Sequence, residues 1–234
     1  MARFAALLAP EGQELLGRLR EAGGSATDLR LGTDLRAAYP VDLVVDALAQ
    51  HELRLRARAK FSRAMDMYFT RAGLEQASAE VIAGHRAARY AGAGLVADLC
   101  CGIGGDLTAL AAGRRALAVD RDPLHLRMAL ANAGAYGVAA GVTAVAGDVR
   151  EVSLGGAVGS GLAERGVDGV FIDPARRAGQ RRLRAGASEP PLEWCLALAD
   201  AVGRTGIKAA PGLPRDAVPP AWELEFIAVG RDLK

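Results

Sequence analysis

The chain has 234 residues, 51% apolar and 24% charged, which is enough to bury a core and too apolar for a disordered chain. A formal net charge of +2 gives no nucleic-acid footprint in bulk, so that argument rests on where the charges fall. Alanine supplies 49 residues, and 26 arginines stand against 3 lysines, a bias that a GC-rich genome produces without any function.

At about 150 residues per domain, the length fits one large domain or a domain with a smaller companion. The start, from Met1 to Pro10, faintly resembles a signal peptide, but its short apolar run passes into Glu11 and Glu14. It reads instead as a first amphipathic helix. Leu15, Leu16 and Leu19 recur at helical spacing, as do Leu43, Val44, Leu48 and Leu53 after a start at Pro40-Val41-Asp42. Another helical stretch runs from Glu75 towards Tyr90. Residues 1–90 hold no convincing strand and are expected to form a helical region.

Beyond residue 90 the period changes. Strands are expected at 95–99, 115–119, 142–146, 167–172, 206–209 and 224–229. Helices are expected at 107–112, 123–136 and 191–202, with a glycine-rich loop at 155–161. This alternation predicts an α/β chain with a doubly wound, Rossmann-like parallel sheet over residues 91–234. No stretch approaches about 18 uninterrupted apolar residues, so no membrane helix is expected. Cys100, Cys101 and Cys195 suit neither a metal knuckle nor a disulfide framework and suggest a reducing cytoplasm.

The strongest motif is Val96-Ala97-Asp98-Leu99-Cys100-Cys101-Gly102-Ile103-Gly104-Gly105-Asp106. A buried strand ends on an acid and enters a glycine turn that opens a helix. The dinucleotide fingerprint requires a third small residue, and Leu107 occupies that place. An acid at the strand end would repel a pyrophosphate and suits a cationic ligand, which favours S-adenosylmethionine, with its ammonium and sulfonium, over a nicotinamide nucleotide. Asp120 closes the second strand and can accept from a ribose diol, or it can cap the helix at Pro123, a task for which Asp122 is better placed. Asp148 closes the third strand, as an adenine acceptor or as a turn residue. The fourth strand leads into Asp173-Pro174-Ala175-Arg176-Arg177.

Together, Asp98-x-x-x-Gly102-x-Gly104, Asp120, Asp148 and Asp173-Pro174 resemble a class I S-adenosylmethionine-dependent methyltransferase. The chain is similar to RNA methyltransferases related to trimethylguanosine synthase. The segments Asp98 to Asp106, Ala118 to Pro123 and Ala79 to His85 carry that similarity. Leu74 to Glu80 and the Asp-Pro-Ala-Arg-Arg form resemble the bacterial branch that adds a C-terminal THUMP-like domain. The resemblance implies cofactor contacts from Asp98, Cys100, Gly102, Gly104, Asp120, Arg121, Asp148 and Val149. It makes Asp173 and Pro174 catalytic, accepting the hydrogens of an exocyclic amine and aligning its lone pair.

The family pattern is acid-Pro-Pro-aromatic, whereas here Ala175 and Arg176 follow the first proline. A guanidinium can stack on a base or grip a phosphate, so Arg176 and Arg177 are expected to bind RNA. Two acid-free basic runs support a nucleic-acid partner: Arg54, Arg56, Arg58, Lys60 and Arg63 on a predicted helix, and Arg176 to Arg184 after the fourth strand. The first is equally readable as a solvated face. Phe61, Tyr68 and Phe69 read as core, as does Cys195, which sets aside a nucleophilic-cysteine reaction. His51, His85 and His125 have no partner in sequence, and no metal site is suggested.

The expected reaction is methyl transfer to a nucleobase amine in RNA. Alternatives are a non-catalytic nucleic-acid-binding module and a small-molecule methyltransferase. The class implies a seventh strand, and the sequence stops just after the sixth, so the seventh strand and a C-terminal RNA-binding domain are expected to be missing.

Overall fold

Four helices open the chain: α1 (Ala2–Leu8), α2 (Pro10–Ala22), α3 (Leu29–Ala38) and α4 (Val41–Ala57). The computed structural model describes residues 1–23, 29–152, 160–175, 177–178, 181–182, 187–209, 212–229 and 232–233. Leu15, Leu16 and Leu19 of α2 form one core with Phe4 of α1 and with Leu43 and Val44 of α4, the apolar stripe that their spacing dictates. Pro10 starts α2 where a missing N–H is harmless, and Gly23 ends it in the left-handed region at φ 63°. No helix among the described residues is long and apolar enough to cross a membrane.

The basic helix expected through residue 63 is corrected. Helix α4 stops at Ala57, and its basic residues have separate tasks. Arg54 turns inward, 5% exposed, donating from Nε to the Met67 carbonyl at 2.8 Å and lying over the Tyr68 ring. Arg56 pairs with Glu52. Lys60 Nζ donates to the carbonyls of Leu74 (2.7 Å), Glu75 (3.2 Å) and Ala77 (2.9 Å) at the end of α5 (Arg71–Gln76). That ammonium satisfies carbonyls a continuing helix would have used. The stretch expected to run unbroken to Tyr90 is therefore split into α5 and α6 (Glu80–Ala88). Phe61, Tyr68 and Phe69 are buried, as expected.

The α/β part runs β1 (Leu95–Leu99), α7 (Leu107–Leu110), β2 (Arg115–Asp120), α8 (Pro123–Ala135), β3 (Val142–Ala146), α9 (Val149–Val152), α10 (Ser160–Glu164) and β4 (Gly169–Ile172). A short antiparallel pair follows, β5 (Arg177–Ala178) with β6 (Arg181–Arg182), then α11 (Leu192–Ala201) and β7 (Thr205–Ile207). The sheet is parallel, ordered β3-β2-β1-β4-β7. β1, β2 and β4 are buried almost throughout, as a sheet covered on both faces requires. Strand order reverses at β1, which opens a crevice at the carboxyl ends of β1 and β4. The residues after paired positions Leu99, Ile172 and Ile207 enter that crevice side by side.

Two side chains fix the surroundings of the crevice. Tyr90 lies over the sheet where Gly169 and Gly206 leave room, and its hydroxyl donates to the Val170 carbonyl at 2.7 Å. Asn132 of α8, fully buried, accepts from the Tyr68 N–H and donates to the carbonyls of Tyr68 and Ile103. It thereby ties the helical region to the glycine turn.

The expected sixth strand does not join the sheet. Among the described residues, Ala228–Val229 (β8) pairs only with Asp232–Leu233 (β9), antiparallel. Residues before it fasten to α6 through side chains: Arg89 to Glu223 (2.9 and 2.6 Å) and His85 to Glu225 (2.6 Å). The alternation of Glu223 and Glu225 with Leu224 and Phe226 reads as a strand, but the acids face Arg89 and His85, leaving Leu224 and Phe226 exposed. Of the glycine-rich loop, residues 155–159 lie outside the described residues.

Candidate active site

A cleft of ≈ 910 Å³ opens at the crevice, and Asp98, Cys100, Gly102, Asp120, Arg121, Asp148, Val149 and Asp173 all line it. Gly104 and Pro174, expected at the site, are not among the residues that line it. A Cβ on Gly104 would stand 3.0 Å from the Ala129 Cα, and Pro174 is buried beside Asp173. Arg176 lies outside the described residues, as does the side chain of Arg177. Of the second basic run, the backbone of β5 and β6 is described.

The turn after β1 is built on left-handed backbone at alternate residues: Cys100 (φ 62°), Gly102 (φ 54°) and Gly104 (φ 83°). At Cys100 that conformation costs roughly 1–2 kcal/mol, strain of the kind stored at functional sites. Gly102 donates its N–H to Asp120 Oδ2 at 2.7 Å, and Asp122 donates its own to Oδ1 at 2.8 Å. Asp122 caps α8 by accepting from the N–H groups of Leu124 and His125, which leaves Asp120 to the cleft.

The acids differ in how they are compensated. Asp98 is 1% exposed, and its Oδ2 has no hydrogen-bond partner. Burial, then the carboxylates of Asp106, Asp173 and Asp120, hold its pKa well above the usual carboxylate range, with Lys208 opposing. Asp106 is paired with Arg86 at 2.8 Å. Asp148 takes two bonds from the Arg150 guanidinium, at 2.9 and 2.6 Å, which draw its pKa down to about 2. Arg150 extends to Glu189 at 2.9 Å, joining the end of β3 to the segment before α11. Asp173 pairs through Oδ2 with Lys208 Nζ at 2.5 Å. Burial raises the Asp173 pKa and Lys208 counters it.

Burial pushes the thiols of Cys100 and Cys101 up, and that of Cys195 up to about 12. Cys195 is fully buried in the core. Each thiol is therefore protonated at neutral pH and is no nucleophile. The histidines separate. His51 is buried in α4, and His85 is drawn to Glu225 at the surface. His125 lines the cleft with its Nε2 3.0 Å from Thr70 Oγ1. Its partner lies 55 residues away, beyond the reach of a local reading.

Lys208, Asp106, Arg86, Ser78, Arg150 and Glu189 were not expected at the site. A signal for Lys208 did exist. It lies within the strand expected at 206–209, and it is one of 3 lysines beside 26 arginines.

Residues 93–177 match a family described as RNA cap guanine-N2 methyltransferase, and residues 1–57 match a domain of unknown function. Uncharacterized S-adenosylmethionine-dependent methyltransferases of Mycobacterium tuberculosis strains CDC 1551 / Oshkosh and ATCC 25618 / H37Rv are each 39% identical over 126 residues, which is 53% of this chain and 31% of theirs. The chain thus spans about a third of those relatives. A crystal structure assigned as a methyltransferase from Porphyromonas gingivalis W83 superposes with a TM-score of 0.61 at 23% identity, covering 81% of this chain and 47% of that one. It shares the fold. The parallel sheet, the acids at its strand ends and these matches give the chain the fold of the class I S-adenosylmethionine-dependent methyltransferases and a resemblance to them.

Proposed function

We propose that this chain transfers a methyl group from S-adenosylmethionine to the exocyclic amine of a nucleobase in RNA. The observation that carries the cofactor reading is the buried, unpaired Oδ2 of Asp98 within a ring of carboxylates, a site that a cationic group completes. Bound S-adenosylmethionine supplies an electrophilic methyl carbon. Asp98 would meet its ammonium, with Cys100, Gly102 and Gly104 shaping the turn beside it. Asp120 keeps lone pairs for the ribose diol. Arg121, Asp148 and Val149 line the side where the adenine would lie.

Asp173 accepts hydrogens from the amine, which raises electron density on nitrogen, and Pro174 fixes the backbone that presents it. The amine so held would face the electrophilic carbon that the bound cofactor supplies, and the proton it sheds would pass to solvent water. The reading of RNA is supported by the family matched over residues 93–177 and by the arginines after Asp173. Arg176 and Arg177 are proposed to grip the RNA. We divide the chain into a helical region, 1–90, and a catalytic domain, 91–234, working in the cytoplasm, where free thiols persist.

The test is titration calorimetry with S-adenosylmethionine, then incubation with total RNA and mass spectrometry of its nucleosides. Binding and a new methylated nucleoside are expected. A folded protein that binds no cofactor overturns the reading.

A further inference from the structure

We propose that Lys208 is a positioning residue that keeps the Asp173 carboxyl in its anionic, hydrogen-accepting form. The inference rests on the reading of Asp173 as the group that receives the amine hydrogens. An amine about to be methylated offers N–H groups. A carboxylate accepts them with either oxygen, whereas a protonated carboxyl presents a donor of its own and turns one contact into a clash.

The surroundings of Asp173 favour the wrong form. It faces Asp98 from β1, Asp106 from the start of α7 and the raised thiol of Cys100. Among the described residues Arg86 of α6 is the other cation acting on Asp173, and it is engaged by Asp106 at 2.8 Å. Lys208 stands against this excess of acid, with Nζ 2.5 Å from Asp173 Oδ2.

The backbone dictates that contact. Ile172 and Ile207 are register partners, and the Lys208 N–H donates to the Ile172 carbonyl at 2.9 Å, so Asp173 and Lys208 leave adjacent strands together. Ser78 steadies the ammonium: its Oγ lies 3.4 Å from Nζ and accepts from Arg86 at 2.7 Å. Lys208 engages Oδ2, and the lone pairs of Oδ1 remain for the substrate amine. A compact ammonium does this without the width of a guanidinium fork.

The test uses the full chain with carbon-13-labelled aspartate carboxyls, the Asp173 signal being assigned by its loss in Asp173→Asn. Lys208→Met and Lys208→Gln remove the charge, and Lys208→Arg keeps it. The Asp173 titration midpoint should rise by about 1–3 pH units in both neutral variants, the usual effect of losing an adjacent opposite charge, and return in Lys208→Arg. In methyl transfer to total RNA, the acidic limb of kcat should move the same way while KM for S-adenosylmethionine changes little. An Asp173 midpoint unaltered in both folded neutral variants overturns the inference, as does activity lost at every pH with Asp173 still anionic. A wild-type protein that methylates no RNA, yet shows the shifted titration, fails the functional reading and upholds the hold of Lys208 on Asp173.

Discussion

Replacing Asp98 with asparagine keeps the shape of the side chain and removes its charge. The carboxyl is fully enclosed, has an unpartnered oxygen and faces three other acids, so its proton affinity in the folded protein exceeds that in the unfolded chain. Such a group costs nothing below the unfolded carboxylate pKa of about 3.9. Its penalty grows as pH rises from there, because the folded state then holds the extra proton. Unliganded Asp98→Asn should therefore be at least as stable as wild type at pH 7 in urea denaturation, with the difference shrinking towards about pH 4. Binding should move the other way. A charge-assisted hydrogen bond to the cofactor ammonium is worth about 1.5–3 kcal/mol, so affinity for S-adenosylhomocysteine should fall about 10- to 150-fold in calorimetry. Wild-type binding should release a proton, seen as a heat that depends on the buffer's ionisation enthalpy, and the variant should release none. Unchanged affinity, or an unliganded variant clearly less stable than wild type at pH 7, would refute the reasoning.

Other substitutions probe the frame around the cleft. Gly104→Ala must adopt φ 83° and place a Cβ 3.0 Å from the Ala129 backbone, so strain and overpacking together should cost about 2–5 kcal/mol, read from the urea midpoint. Lys60→Met leaves three carbonyls at the end of α5 without their ammonium and should lose about 1.5–3 kcal/mol in thermal denaturation. Asp148 is held at about 2 by Arg150, so its contribution is complete above its unfolded pKa and disappears as pH falls through about 2. Arg150→Gln should make acid unfolding between about pH 4 and 2 shallower, and by a modest amount because the pair is partly exposed.

The parts of the fold that depend on neighbouring residues were legible in the sequence. The change from helical to strand period near residue 90, Pro10 and Gly23 around α2, and an acid closing each of β1, β2 and β3 are all local patterns. They placed Asp98, Asp120 and Asp148 in one cleft because parallel strands end at the same edge. What failed depends on distant partners. Residues 224–229 alternate as a strand does, yet sheet pairing is decided by what lies alongside, and α6 offers Arg89 and His85 instead. The run from Arg54 to Arg63 counts as a basic patch, but the count does not reveal that Arg54 is buried or that Lys60 caps a helix up to 17 residues ahead. Lys208 meets Asp173 across 35 residues, through a register that no spacing rule provides.

The cleft uses one residue type for different purposes, and the partners set the difference. Asp120 is neutralised by backbone N–H groups, Asp106 and Asp148 by guanidinium groups, and Asp173 by an ammonium. Each is complete within the protein and keeps its geometry without a ligand. Among the described residues, Asp98 is the acid with a buried oxygen that nothing meets. A lone unsatisfied group of this kind works against folding and persists where a ligand completes it. The compensated acids hold the frame still, so the free energy of the incoming cation is concentrated on Asp98. Selectivity for a cationic cofactor over a pyrophosphate follows from that arrangement, because an anion there would meet Asp98 and the three acids around it together.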